Sequence, residues 1–158
     1  MEYICGVTFA PFACAGAFFK PGAKESLAMM KERTGANFVI FVPGGLQETP
    51  QSEEICFTSK ATMEDDELIE MIKYAKETGL RVALKPTVNC KNGTWRAHIN
   101  FFDEDVPCEP KWGNWFASYT AFQLHYAKIA EQHDCEMFIA GCEMVMLSLI
   151  HISEPTRL

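Results

Sequence analysis

Two helix-like segments end in one local idiom and run straight into apolar stretches. Thr34-Gly35-Ala36-Asn37 leads into Phe38-Val39-Ile40-Phe41-Val42, and Thr78-Gly79-Leu80-Arg81 leads into Val82-Ala83-Leu84-Lys85-Pro86. A glycine just past the last helical turn supplies the left-handed residue that closes many helices. An unbroken apolar run after it suits a strand buried on both faces of a parallel sheet. Parallel neighbours need crossover connections, and these are almost always right-handed helical ones. The repeat therefore restricts the chain to an α/β fold.

The rest of the chain fits the same rhythm. Tyr3 to Phe9 is predicted as a first strand, followed by a loop bearing Pro11, Gly16, Pro21 and Gly22. Ala23 to Thr34, with Leu27, Ala28 and Met30 among charges, is predicted as a helix. Asn37 to Val42 is the second strand and Pro43 to Thr62 a long polar loop. A capping-type start at Thr62-Met63-Glu64-Asp65 opens a helix with the stripe Leu68, Ile69, Ile72 and Ala75. The acidic run Glu64-Asp65-Asp66-Glu67 is expected to be solvated and to suit the helix dipole. Arg81 to Pro86 is the third strand, Thr87 to Gly113 a second long loop, Trp115 to His133 a helix, and Glu136 to Ala140 a short buried strand.

The order β-α-β-α-β-α-β has long loops after strands and short ones after helices. That asymmetry marks a (β/α)8 barrel, whose working face lies at the carboxyl ends of its strands. The expected fold is thus a truncated (β/α)8 barrel comprising the first four strands and three helices. A doubly wound sheet would alternate in the same way, but neither GxGxxG nor a P-loop is present to favour nucleotide binding.

Composition narrows function by exclusion. An apolar fraction of 48% over 158 residues is enough for a core. The net charge of −7 argues against a nucleic-acid partner, which calls for clustered positive charge. No apolar run reaches the ~20 residues needed to span a bilayer. Met1-Glu2-Tyr3-Ile4-Cys5 does not resemble a secretory leader, so a cytoplasmic location is expected. The seven cysteines, Cys5, Cys14, Cys56, Cys90, Cys108, Cys135 and Cys142, are odd in number and irregularly spaced, as for reduced thiols. Cys90, His98 and Cys108 are the best candidates for zinc, but they lack standard ligand spacing. No metal and no cofactor are expected.

The chemistry concentrates after the last strands. Glu143 follows Gly141-Cys142 at the end of the fourth strand, where barrel enzymes place catalytic acids. Partial desolvation there would raise its pKa and suit a proton donor; the competing role is a structural acid paired with Lys or Arg. Trp95 and Arg96 lie in the loop after the third strand, with Trp112 and Trp115 in or beside it. Indole faces stack on sugar rings, and Arg donates to hydroxyls or carboxylates; equally, the tryptophans could simply pack the barrel rim. Trp115 leans towards helix packing, and Tyr119, Phe122 and Tyr126 recur at helical spacing as core. Lys85 closes the third strand and is a candidate for substrate binding or, alternatively, for a Schiff base. Asn89, Asn92 and His98 could bond hydroxyls or merely shape turns.

Taken in order, Gly6-Val7-Thr8-Phe9, Leu84-Lys85-Pro86, Gly93-Thr94-Trp95-Arg96-Ala97-His98-Ile99, Trp115-Phe116-Ala117-Ser118-Tyr119 and Gly141-Cys142-Glu143-Met144 resemble the N-terminal half of glycoside hydrolase family 113, which includes β-mannanases. The resemblance spans residues 3 to 146. It implies retaining hydrolysis by two glutamates, an acid/base ending strand four and a nucleophile ending strand seven. Glu143 matches the first, and the second has no counterpart in this chain. Lys85, Asn89, Trp95 and Arg96 are the expected contacts to an oligosaccharide or polysaccharide. Cys142 departs from the Thr expected before the acid/base and from the Asn-Glu pair of the wider clan; as a weak donor it leaves the sugar 2-hydroxyl to other groups. A lysine-dependent lyase and a non-catalytic carbohydrate-binding barrel are the rival functions.

The segment from Leu147 to Arg157 resembles a translated sequencing adapter, so the domain is expected to occupy residues 1–146 and residues 147–158 to be an artefactual tail. His151 and Glu154 are accordingly assigned no chemistry. A half barrel exposes open sheet edges and is expected to aggregate or pair, and to lack glycosidase activity.

Overall fold

The computed structural model describes residues 3–11, 15–101 and 111–147. Cys14, Cys108, His151 and Glu154, and with them nearly all of the expected tail, lie outside the described residues. Four strands, β1 (Gly6–Phe9), β2 (Phe38–Phe41), β4 (Arg81–Leu84) and β6 (Met137–Phe138), form one parallel sheet in the order β1-β2-β4-β6. Two more, β3 (Gly44–Gln47) and β5 (Thr87–Cys90), form a parallel pair of their own. The helices α1 (Gly22–Thr34), α2 (Asp65–Glu77) and α3 (Lys111–Gln132) alternate with them. The main sheet grows in one direction, each new strand beside the last. That is the winding of a barrel; a doubly wound sheet reverses at a switch point.

The extra pair β3–β5 corrects the two loops expected after strands two and three. Pro43 and Pro86 have no N–H and interrupt the ladder. The chains nevertheless stay in step across the break. Lys85 N donates to Phe41 O at 2.9 Å, and Thr87 N donates to Pro43 O at 2.9 Å. Register is thereby carried into a second ladder, Gly44 opposite Thr87 through Gln47 opposite Cys90. Gly45 is glycine for space: a Cβ there would fall 2.6 Å from Ile55 Cγ2 and 3.0 Å from the Phe122 ring.

Boundaries move for identifiable reasons. β1 begins later than Tyr3 because the Asn37 side chain bonds the entering segment, accepting from Cys5 N at 2.8 Å and donating to Tyr3 O at 2.7 Å. Gly35 caps α1 with φ 65°, and Gly79 with φ 78° follows α2, as the shared idiom requires. Within the described residues α3 starts at Lys111, so Trp112 belongs to the helix and not to the preceding loop. Trp112, Trp115, Phe116 and Tyr119 then recur at helical spacing as one aromatic ladder. β6 is an edge strand of two residues, with Met137 39% exposed and Phe138 only partly buried, so the strand is not buried as expected.

The core lies between sheet and helices, around Phe38, Val39, Phe41, Leu68, Met71, Ile72, Leu84, Trp115 and Phe122. Trp115 is fully buried, as helix packing demands, and its indole N–H donates to Gln47 Oε1 at 3.0 Å. Leu68, Ile72 and Ala75 are buried as the α2 stripe predicts, with Met71 added.

Glu67 departs from the solvated acidic run. It is only 1% exposed, and its Oε1 accepts from Gly16 N and Glu64 N at 2.9 Å each, while Oε2 accepts from Phe18 N at 2.8 Å. One carboxylate thus ties the loop after β1 to the start of α2. Replacing Glu67 by Gln converts an oxygen acceptor into a donor facing amides, and charge-assisted bonds of this kind are worth ~1.5–3 kcal/mol. Urea unfolding of Glu67→Gln should show a loss of about 2 kcal/mol. Tyr126 provides the opposite case: its buried hydroxyl has no hydrogen-bond partner among the described residues. Tyr126→Phe should leave the urea midpoint unchanged or raise it, because it removes an uncompensated polar group.

Candidate active site

Three connections build the surroundings of Glu143. The first comes from β5. Arg96 opens a 3-10 turn, Arg96–His98, eight residues after Val88. Its Nε donates to Val88 O at 2.8 Å, and its NH2 donates to Asn89 Oδ1 at 2.6 Å. The remaining NH1 reaches Glu143 Oε2 at 2.5 Å. The second is Trp95, whose indole N–H donates to the same Oε2 at 3.1 Å. The third comes from α3, where the Tyr119 hydroxyl donates to Ala140 O at 2.5 Å and so holds the segment leaving β6. Burial pushes the Tyr119 hydroxyl up to about 12, so it remains a donor. Tyr119 in turn stacks on Trp115, with centroids 5.0 Å apart and planes 10° from parallel.

Glu143 itself has φ 57°, in the left-handed region. A non-glycine residue held there marks a backbone that its surroundings over-determine. The expectation of a desolvated, raised carboxyl does not hold. The side chain is 51% exposed, and the pKa is lowered. The Trp95 hydrogen bond is the largest cause; partial burial opposes it, and the Arg96 charge and hydrogen bond and the more distant Lys85 charge add to the lowering. Exposure follows from the edge position of β6, and the low pKa from the donors on Oε2.

The structure therefore gathers the sequence candidates unevenly. Arg96 and Trp95 touch Glu143 directly, and Asn89 reaches it only through Arg96. Lys85 sits between β4 and β5, near enough for its charge to act on Glu143. Its ammonium makes no hydrogen bond or ion pair with the described residues. Asn89 and Arg96 also line a cavity of about 360 Å³ with Ala10, Pro11, Gly44, Thr62 and Thr87, beyond the ends of β1, β2 and β4. Trp95 is 54% exposed, with its ring available to a ligand. Asn92 turns its side chain to Thr94 N at 3.0 Å, the turn-forming role.

For metal, Cys90 is buried, His98 is exposed, and Cys108 lies outside the described residues. Among the described residues no group of three His, Cys, Asp or Glu side chains could hold an ion. Cys5, Cys56, Cys90, Cys135 and Cys142 are free thiols. No helix among the described residues is long and apolar enough to cross a membrane.

Gln47 and Tyr119 are site-building residues that sequence reasoning missed. The only available signal was the Trp-x3-Tyr spacing in α3, which pointed to packing rather than to the site.

The fold and this constellation have known counterparts. The model of glycoside hydrolase family 113 matches residues 7–149. A family 113 β-1,4-mannanase solved as a complex superposes with TM-score 0.88 at 55% identity, covering 96% of this chain and 49% of the mannanase. A second structure of a family 113 β-1,4-mannanase gives TM-score 0.85 at 57% identity, with 92% and 47% covered. The β-mannanase of Alicyclobacillus acidocaldarius gives TM-score 0.86 at 35% identity, with 96% and 48% covered. The chain spans about half the length of these solved relatives. No curated protein matches it. With nearly its whole length matched by the family model, the chain belongs to glycoside hydrolase family 113.

Proposed function

We propose that this chain is the N-terminal half of a (β/α)8 glycosidase that cleaves β-linked, mannan-like glycans with retention of configuration, and that Glu143 is its acid/base. The observation that carries this reading is a carboxylate just beyond the last strand of the parallel sheet, braced at positive φ beside Arg96 and Trp95, in a member of family 113. The substrate class rests on the β-mannanases that it resembles over half their length.

The two-glutamate mechanism divides the work. A nucleophilic carboxylate on the other half attacks the anomeric carbon while Glu143 protonates the departing glycosidic oxygen. The C–O bond breaks, a glycosyl-enzyme ester forms, and Glu143 is left ionised. It then takes a proton from water, which attacks the anomeric carbon and releases the sugar and the nucleophile. The carboxyl groups must lie about 5–5.5 Å apart for this sequence. Trp95 offers a ring face to a sugar, and Lys85 and the free amide N–H groups of Asn89 offer donors to its hydroxyls. The oligo- or polysaccharide is the partner that this site suits.

The native gene should continue past Met146 through further β-α units and place a glutamate at the end of the seventh strand. In that intact enzyme Glu143→Gln should lower kcat on mannan by about 10²–10⁴, the scale of general acid–base catalysis. Aryl glycosides with good leaving groups need no proton, so their glycosylation step should be spared. Equal loss of kcat/KM, which reports the glycosylation step, on both substrate types would remove Glu143 from the acid/base role. The 158-residue chain alone should release no reducing sugar from mannan.

A further inference from the structure

Arg96 is built into the structure more firmly than a sugar-binding side chain needs to be. Its guanidinium side chain is only 16% exposed, and three of its nitrogens are assigned: Nε to Val88 O, NH2 to Asn89 Oδ1 and NH1 to Glu143 Oε2. Two of the three acceptors belong to β5. The planar fork cannot rotate about its own axis without losing one of them. Glu143, by contrast, is half exposed and bonded through Oε2 alone, which receives both Arg96 and Trp95. Oε1 has no partner among the described residues.

We propose that Arg96 is a positioning residue for Glu143: braced by Val88 and Asn89, it pins the carboxylate through Oε2 and leaves Oε1 as the oxygen that gives and receives the proton. This deepens the acid/base reading of Glu143, on which it rests, and moves Arg96 from sugar contact to support, with Asn89 Oδ1 as one of its braces. A protonated carboxyl carries its hydrogen on one oxygen. An Oε2 that already accepts two N–H donors is the poorer place for it.

The groups facing Glu143 favour its ionised form. Arg96 and Trp95 approach from the segment after β5, and Lys85 acts from the end of β4. His98 lies behind the Trp95 ring at 6.1 Å. On the α3 side Tyr119 is held neutral on Ala140, and Cys142 is the only titratable neighbour on Glu143's own segment. The Val145–Leu147 turn brings no titratable side chain. The contacts to ionised Glu143 are therefore complete above the ordinary glutamate range and are lost as pH falls through the lowered pKa.

The test is a pH titration of the isotopically labelled intact enzyme by NMR, following the Glu143 carboxyl carbon, assigned with Glu143→Gln, and the Arg96 guanidinium nitrogens. In the unsubstituted enzyme the two signals should move with one shared midpoint. In Arg96→Gln the Glu143 midpoint should rise, as expected when an adjacent cation is removed. Trp95→Phe, which keeps the cation and removes a neutral donor at an exposed position, should also raise it while preserving the shared midpoint. Separate midpoints in the unsubstituted enzyme would overturn the proposal, and this comparison does not depend on Arg96→Gln folding. An unmoved Glu143 midpoint in a folded Arg96→Gln would overturn it as well. Because the titration reads no turnover, it can succeed even where Glu143→Gln leaves the intact enzyme active, so the two ideas fail separately.

Discussion

The parallel pair β3–β5 is the support from which the site hangs. It is short and starts with two glycines, yet both arms of the Glu143 environment are fastened to it. On one arm Val88 and Asn89 of β5 hold Arg96, and Arg96 holds the carboxylate. On the other, Gln47 of β3 fixes the Trp115 indole, Trp115 stacks on Tyr119, and Tyr119 bonds the carbonyl of Ala140. The two strands are themselves held in register by the main sheet across Pro43 and Pro86. A proline break that elsewhere would end a strand here offsets the backbone and begins a second tier, and that tier aims the functional groups.

Buried polar contacts carry this architecture, and surface ion pairs carry little of it. Lys24–Glu70, Lys91–Glu48 and Arg81–Glu136 are solvent-accessible pairs, of a type worth ~0–1 kcal/mol. Glu67 and Gln47 are each 1% exposed, and each bonds groups far away in sequence. Inside the protein such groups are costly unless satisfied, so each specifies one arrangement of its neighbours. Glu67 fixes the loop after β1 against α2, and Gln47 fixes α3 against β3.

The parts of the fold legible in the sequence were those encoded locally. Gly35 and Gly79 announce helix ends because only a residue tolerant of positive φ fits there, and the apolar runs at Phe38 and Val82 announce buried strands because no polar alternation interrupts them. β3 was illegible for the same reason: Gly44-Gly45-Leu46-Gln47 has no apolar run, and its pairing is inherited from β2 and β4. Glu67 was misread because four consecutive acids look alike until the fold brings the amides of Gly16 and Phe18 to one of them. At the site, Glu143, Trp95, Arg96, Asn89 and Lys85 were legible as residue types with chemistry. Their division of labour was not, since the Glu143 partners lie 47 and 48 residues away in the chain.

The lowered pKa of Glu143 looks ill suited to a proton donor, yet the two half-reactions proposed for it make opposite demands. Glycosylation needs the carboxyl protonated; deglycosylation needs it ionised, with an oxygen free to take a proton from water. Arg96, Trp95 and Lys85 all serve the second demand. The first is served by negative charge and desolvation; the described residues around Glu143 supply only a partial desolvation, which their donors and positive charges outweigh. A nucleophilic carboxylate at about 5–5.5 Å would supply the charge, and a bound sugar would supply the desolvation by covering the exposed face. On formation of the proposed glycosyl ester that carboxylate would lose its charge, the pKa of Glu143 would fall back, and the proposed Arg96 clamp would then favour the base. The donors on Oε2 would thus be one side of a balance whose other side changes during the reaction.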